Sequence, residues 1–86
     1  MTNKEFIERA MQEVRDYTIA HLDKSEPTPE FDVFVVWSCK TLQNHKALLS
    51  TTISDGMYYE VTYNGDKKEA YLDAYKKFEN KVVMKG

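Results

Sequence analysis

Apolar and polar residues follow two different periods along this chain, and the changes of period predict its elements. From residue 3 to residue 22 apolar side chains recur every three or four positions, which is the period of one helix face. Between Asp32 and Asn64 they alternate with polar residues in three short runs, as in half-buried strands. The helical period returns after Asn64. We therefore predict the element order α-β-β-β-α.

Capping signals mark the starts of the two predicted helices, residues 2–23 and 66–82. Thr2 with Glu5, and Asp66 with Glu69, have the capping-box spacing, in which side chains bond the free N–H groups of a first helical turn. The first apolar stripe comprises Phe6, Ile7, Ala10, Met11, Val14, Tyr17, His21 and Leu22. The second comprises Ala70, Tyr71, Ala74, Tyr75, Phe78 and Val82.

The predicted strands occupy residues 32–40, 46–53 and 57–64, and a proline-containing connector, residues 24–31, precedes them. Short loops between successive strands favour an antiparallel meander. Both helices must cover their apolar stripes on that sheet. The fold class is therefore α+β, a two-layer single domain of residues 1–86 with both helices on one face of a three-stranded sheet.

The first strand is apolar on both of its faces, which is unusual for a sheet covered on one side. Val33, Val35, Trp37 and Cys39 alternate with Phe34, Val36, Ser38 and Lys40. We predict a protein-contact surface of Phe34 and Val36 with Tyr58 from the third strand. Its rim is the loop residues Gln43, Asn44 and His45. In the alternative interpretation, a helix end, the chain termini or the proline segment cover this patch. Four tyrosines follow the burial period and are predicted core residues: Tyr59, Tyr63, Tyr71 and Tyr75.

The net charge of the chain and the distribution of its charged residues limit the kinds of partner that we expect. The net charge of −2 does not favour binding nucleic acid by bulk electrostatics. Residues 1–32 carry eight acids and four bases, whereas residues 33–86 carry eight bases and six acids, which allows a local cationic patch. No apolar run approaches the roughly 20 residues of a membrane span, and the first residues lack the apolar core of a secretory signal. We expect a cytoplasmic protein.

Catalytic and metal-binding patterns are weak in this sequence. Cys39, the single cysteine, has His45 six residues away, but a lone cysteine in an apolar strand is usually a small buried residue. The two histidines and the cysteine lack metal-ligand spacing, and no glycine-rich phosphate loop is present. We therefore expect a non-enzymatic protein with no cofactor and no metal.

The order α-β-β-β-α and the string Gly65-Asp66-Lys67-Lys68-Glu69-Ala70 resemble the double-stranded-RNA-binding domain. In that family a paired-lysine motif opens the second helix and a histidine lies in the first hairpin loop. Tyr71 stands where the motif has its third lysine. The resemblance implies nucleic-acid contacts by Lys67 and Lys68 and by the loop residue His45. Lys46, at the start of the second strand, completes the candidate nucleic-acid residues.

A second resemblance covers nearly the whole chain. The strings that carry it are Val36–Asn44, Lys46–Thr51, Gly56–Glu60, Tyr63–Lys67 and Asp73–Lys77. They look like an uncharacterised family of small phage and prophage proteins of Gram-positive bacteria. This resemblance implies an accessory protein made in the bacterial host cytoplasm and brings no catalytic residues.

We therefore predict a non-enzymatic phage accessory protein that binds a host or phage protein. An exposed strand edge also allows a homodimer. Two alternatives are a nucleic-acid-binding module and the sequestration of a small nucleotide-type ligand in an aromatic pocket.

Overall fold

One helix and a four-stranded antiparallel sheet make up the fold in a computed structural model that describes residues 1–22 and 24–84. The elements are α1 (Asn3–His21), β1 (Val33–Thr41), β2 (Asn44–Thr51), β3 (Met57–Asn64) and β4 (Glu69–Lys76). The strands lie in the order β1-β2-β3-β4. The α+β class agrees with the prediction, but the count of three strands and two helices was wrong. Asp23, the last residue of the predicted first helix, lies outside the described residues, as do Lys85 and Gly86.

The helix α1 begins as its sequence predicts. The Glu5 N–H donates to the Thr2 hydroxyl at 3.1 Å, and the Glu5 carboxylate accepts from the Thr2 N–H, so the capping box is confirmed. The Thr2 hydroxyl, and then the Thr2 N–H, also lower the pKa of Glu5 by hydrogen bonding to its carboxylate. Phe6, Ala10 and Val14 are buried one turn apart. No helix in the described part of the chain is long and apolar enough to cross a membrane.

The core lies between α1 and the first three strands. It comprises Phe6, Ala10, Val14, Val33, Ala47, Leu49, Tyr59 and Val61. Burial of the phenylalanine, leucine and valine side chains in this core stabilises the fold by roughly 1.5–3 kcal/mol each relative to exposure. The predicted burial of Tyr59 is confirmed, and Tyr63 packs partly buried against this cluster. The helix thus covers the first three strands on one side of the sheet, and no helix or strand of the described residues covers the other side.

The predicted helix over residues 66–82 was wrong, because residues 69–76 form β4 instead. β4 pairs with β3 along its whole length, from Asn64 opposite Glu69 to Met57 opposite Lys76. This pairing satisfies backbone groups that an edge at β3 would leave open. Asp66 does not cap a helix; its N–H donates to the Asn64 side chain at 3.0 Å in the hairpin turn.

The segment of residues 77–84 follows β4 without regular secondary structure. The Lys77 N–H donates to the Gly56 carbonyl at 2.7 Å, which extends the ladder by one step. Beyond that point Phe78 is 98% exposed, and Val82, Val83 and Met84 are also exposed. The prediction that Phe78 and Val82 pack on the sheet was therefore wrong.

Candidate functional site

No helix or strand of the described residues packs on the sheet side away from α1, which is called the open face below. Residues directly opposite each other on paired strands share a face, and successive residues alternate between faces. The register therefore assigns these residues to the open face: Phe34, Trp37, Cys39, Thr41, Asn44, Lys46, Leu48, Ser50, Tyr58, Glu60, Thr62, Asn64, Glu69, Tyr71, Asp73 and Tyr75. Five of these sixteen residues are aromatic, and four of the five come from the two edge strands.

The aromatic side chains of the open face are accessible. Phe34 and Trp37 on β1 are 45% and 43% exposed, and Tyr71 and Tyr75 on β4 are 48% and 52% exposed. Tyr58 lies half-buried between Ser50 and Tyr75 in the register. Large half-exposed rings grouped on one face are a recurring mark of contact surfaces.

A β-bulge at Val36 places Trp37 on this face. Val35 lies opposite Leu49 and Trp37 lies opposite Leu48, so Val36 is the extra residue. One extra residue reverses the alternation beyond it. The predicted alternation, with Trp37 and Cys39 on the side of Val35, was therefore wrong. The expected burial of Cys39 was also wrong, because this residue is exposed.

The charges of the open face are mainly negative. Glu60, Glu69 and Asp73 oppose a single cation, Lys46, whose Nζ lies 3.5 Å from Glu60 Oε1. Glu60 lies directly opposite Asp73, so one lysine balances two adjacent carboxylates only in part. The Tyr71 hydroxyl donates to the Glu69 carboxylate, and this hydrogen bond raises the pKa of Tyr71. The face is acidic and aromatic.

The predicted protein-contact residues Phe34 and Tyr58 both belong to the open face. Val36 is 47% exposed at the bulge between the two faces of β1. All three residues are therefore accessible to a partner. The predicted burial of Tyr71 and Tyr75 was wrong, because these residues belong to the accessible side of β4 and not to a second helix.

Gln43 and Asn44 lie at one end of the sheet, where two hairpin turns meet. Leu42 and Gln43 form a two-residue turn, with Leu42 at a φ of 56°, a left-handed value that is costly for leucine. The Asn44 side chain accepts a hydrogen bond from the Gly65 N–H at 3.0 Å. A Cβ atom on Gly65 would overlap the Gln43 carbonyl, so this glycine permits the two turns to pack.

His45 is not a rim residue, and its prediction as a contact was wrong. It is 2% exposed on the helix side of β2, where its ring stacks on Phe6 with centroids 4.9 Å apart. Its Nδ1 is buried and has no hydrogen-bond partner within the described residues. The alternation of β2 carries His45 inward together with Ala47 and Leu49. His45 is therefore also unavailable to nucleic acid.

The other predicted nucleic-acid residues do not form one surface. Lys67 and Lys68 are exposed in the β3–β4 turn and not at a helix start, and Lys68 has a left-handed φ of 55°. Lys46 lies on the open face, bound to Glu60. The fourth strand also removes the α-β-β-β-α order that carried the double-stranded-RNA resemblance.

The fold does not bring together the cysteine and the histidine that the sequence offers as candidate catalytic residues. Cys39 is on the open face and His45 is on the helix side, so the fold separates the thiol from the imidazole. Among residues 1–22 and 24–84, no three His, Cys, Asp or Glu side chains are grouped as a metal ion would require.

Sequence reasoning missed Trp37, Tyr71 and Tyr75 as accessible residues. The spacing Tyr71-Asp73-Tyr75 also fits a strand, and that period was the available signal for β4. No local signal in the sequence marks the bulge that turns Trp37 outward.

A comparison with protein-family models matches residues 4–85 to a family of unknown function, DUF6275. No curated protein and no solved structure matches the chain. The family match covers almost the whole of the 86 residues. The chain therefore belongs to the DUF6275 family.

Proposed function

We propose that this chain is a non-enzymatic accessory protein of a phage or prophage of Gram-positive bacteria, acting in the host cytoplasm. It binds a host or phage protein through the open face. The observation that carries the proposal is the group of half-exposed rings on that face, above all Phe34, Trp37, Tyr71 and Tyr75. The sequence strings that resemble phage and prophage proteins support the biological setting.

Because the open face is mainly negative, we expect its partner to present positive charge there. In the described part of the chain Glu69 and Asp73 have no cation opposite them on the face, while Lys46 is held by Glu60. A partner with exposed lysine or arginine beside apolar side chains complements this pattern. Arginine fits best, because its guanidinium stacks on tyrosine and tryptophan rings and also binds carboxylates in a fork.

The size of the open face suits a modest protein interface. Four strands of eight or nine residues, at the usual strand spacing and rise, give a projected area of roughly 500 Å². A standard interface buries about 800 Å² on each partner. The partner would therefore cover the face and reach its rim, where Val36 and the β4 edge are exposed.

An affinity-capture experiment with matched variants tests this proposal. Phe34→Ser with Tyr75→Ser removes one ring from each edge strand of the open face. Ile19→Ser removes a side chain of similar exposure, 41%, from α1. We expect the wild type and the Ile19 variant to retain the same protein from host lysate and the double variant to lose it.

Two results would refute the proposal. One is equal retention by all three proteins, which would place the contact elsewhere. The other is a retained protein whose binding surface is acidic and free of lysine and arginine. Circular dichroism of each variant distinguishes loss of binding from loss of fold.

A further inference from the structure

A groove on the helix side of the sheet has a chemical character opposite to that of the open face. Its first hollow, of about 290 Å³, lies between the first half of α1 and the β3–β4 hairpin. Phe6, Ala10, Val61 and Ala70 give it apolar walls. It exists because α1 packs on the first three strands and, in the described part of the chain, no second helix covers the inner side of β4.

A second hollow, of about 360 Å³, continues the first toward the hairpin turns. Both hollows are lined by Met1, Tyr63 and Lys68, so these residues lie where the hollows meet. The second hollow adds the side chain of Lys40 and the turn residues Leu42, Gln43 and Gly65. The groove therefore has an apolar end and a polar end.

The cations of the groove come from three separate elements. Arg9 belongs to α1, Lys40 to the helix side of β1 and Lys68 to the β3–β4 turn. No described aspartate or glutamate lines either hollow, although the chain has 14 acids and 12 lysines and arginines. Within residues 1–22 and 24–84 none of the three cations makes an ion pair. Unneutralised cations around a concave surface concentrate anions there.

We propose that this groove binds a free nucleotide. The aromatic base occupies the apolar hollow beside Phe6 and Tyr63, and the phosphate lies toward the hollow that holds Lys40 and Lys68. Ligand sites of this kind are concave and mostly apolar, with a few placed polar groups that fix orientation. Charge-assisted hydrogen bonds from lysine and arginine hold phosphate oxygens more strongly than neutral donors do.

The nucleotide site is independent of the proposed protein contact. Arg9, Tyr63 and Lys68 lie on the helix side or in the β3–β4 turn, whereas Phe34 and Tyr75 lie on the open face. The Phe34→Ser, Tyr75→Ser variant should therefore keep nucleotide binding. Failure of one proposal leaves the other standing.

Titration calorimetry with the four ribonucleoside 5′-monophosphates tests the inference on the full chain. We expect 1:1 binding of at least one of them, weakened about tenfold or more by Arg9→Gln with Lys68→Gln. The control, Lys76→Gln with Lys77→Gln, removes the same charge from exposed residues at the far end of β4 and should bind as the wild type does. The corresponding nucleoside without phosphate should also bind about tenfold or more weakly.

A second variant tests the contribution of the apolar hollow separately from that of the cations. Ala70→Leu fills the apolar hollow and changes no charge, so it should weaken nucleotide binding. We expect inorganic phosphate to bind weakly beside Lys40 and Lys68, and this variant should bind it as the wild type does. Two results would overturn the inference: no binding of any of the four nucleotides, or equal binding by the wild type and the Arg9→Gln, Lys68→Gln variant. If none of the nucleotides binds but a single-stranded oligonucleotide binds tightly, the groove belongs to a polymer.

Discussion

Two phenylalanines at opposite extremes of burial give a direct test of the fold. Phe78 is 98% exposed in the segment after β4, and Phe6 is 2% exposed at the centre of the core. The same change, phenylalanine to alanine, should therefore have very different effects on the free energy of unfolding. For Phe78→Ala we expect a change within about 0.5 kcal/mol, the usual range for exposed positions. For Phe6→Ala we expect a loss of about 3–5 kcal/mol.

Urea unfolding followed by circular dichroism measures both values. The helix predicted over residues 66–82 gives a different expectation, because it places Phe78 on a buried stripe. Burial of a phenylalanine side chain is worth roughly 1.5–3 kcal/mol. A loss above about 1.5 kcal/mol for Phe78→Ala would therefore refute the exposed segment and favour packing of residues 77–84 against the sheet.

Three further outcomes follow from particular contacts. Trp37 is the single tryptophan, and we expect acrylamide to quench its fluorescence readily in the native protein; strong shielding would contradict the bulge. Gly65→Ala should lower the free energy of unfolding by about 1–3 kcal/mol because its Cβ meets the Gln43 carbonyl. An unchanged urea midpoint would show that the two turns do not pack. Glu69→Gln should lower the pKa of Tyr71. The variant removes the carboxylate that accepts a hydrogen bond from the neutral hydroxyl and repels the negative charge of the phenolate. Ultraviolet titration of the tyrosines would show one ionisation moving to lower pH, and no movement would exclude this hydrogen bond.

The first half of the fold could be predicted because its signals are local. The capping box of Thr2 and Glu5 and the four-residue spacing of Phe6, Ala10 and Val14 fix both the start and the buried face of α1. In β2 the alternation that buries Ala47 and Leu49 is equally clear. These patterns depend on neighbours along the chain and need no knowledge of the tertiary structure.

Residues 69–76 show where local pattern fails. Ala70 and Ala74 have high helix propensity, and with Tyr71 and Tyr75 they also form a helical stripe. Ala70, Leu72 and Ala74 also alternate with Tyr71, Asp73 and Tyr75, as the two faces of a strand would, so the sequence supports both elements. Pairing with the open edge of β3 decides the outcome, and that is a tertiary effect that propensity does not contain.

Both candidate sites depend on such tertiary effects. The open face gains Trp37 through the bulge at Val36 and gains Tyr71 and Tyr75 through the strand pairing of β4. The groove is present because no helix of the described chain covers the inner side of β4. The faces of Phe34 and Tyr58 could be predicted because Phe34 precedes the bulge in β1 and the pairing of β3 contains no bulge.

Site-specific photo-cross-linking in the proposed bacterial host tests the proposed contact surface most directly. A photoreactive phenylalanine analogue replaces Tyr75 on the open face in one protein and Ile19 on α1 in another; Tyr75 is 52% exposed and Ile19 is 41% exposed. We expect a discrete cross-linked protein from position 75 and none from position 19. Cross-linking from position 19 alone would contradict the assignment of the open face as the surface that meets the partner.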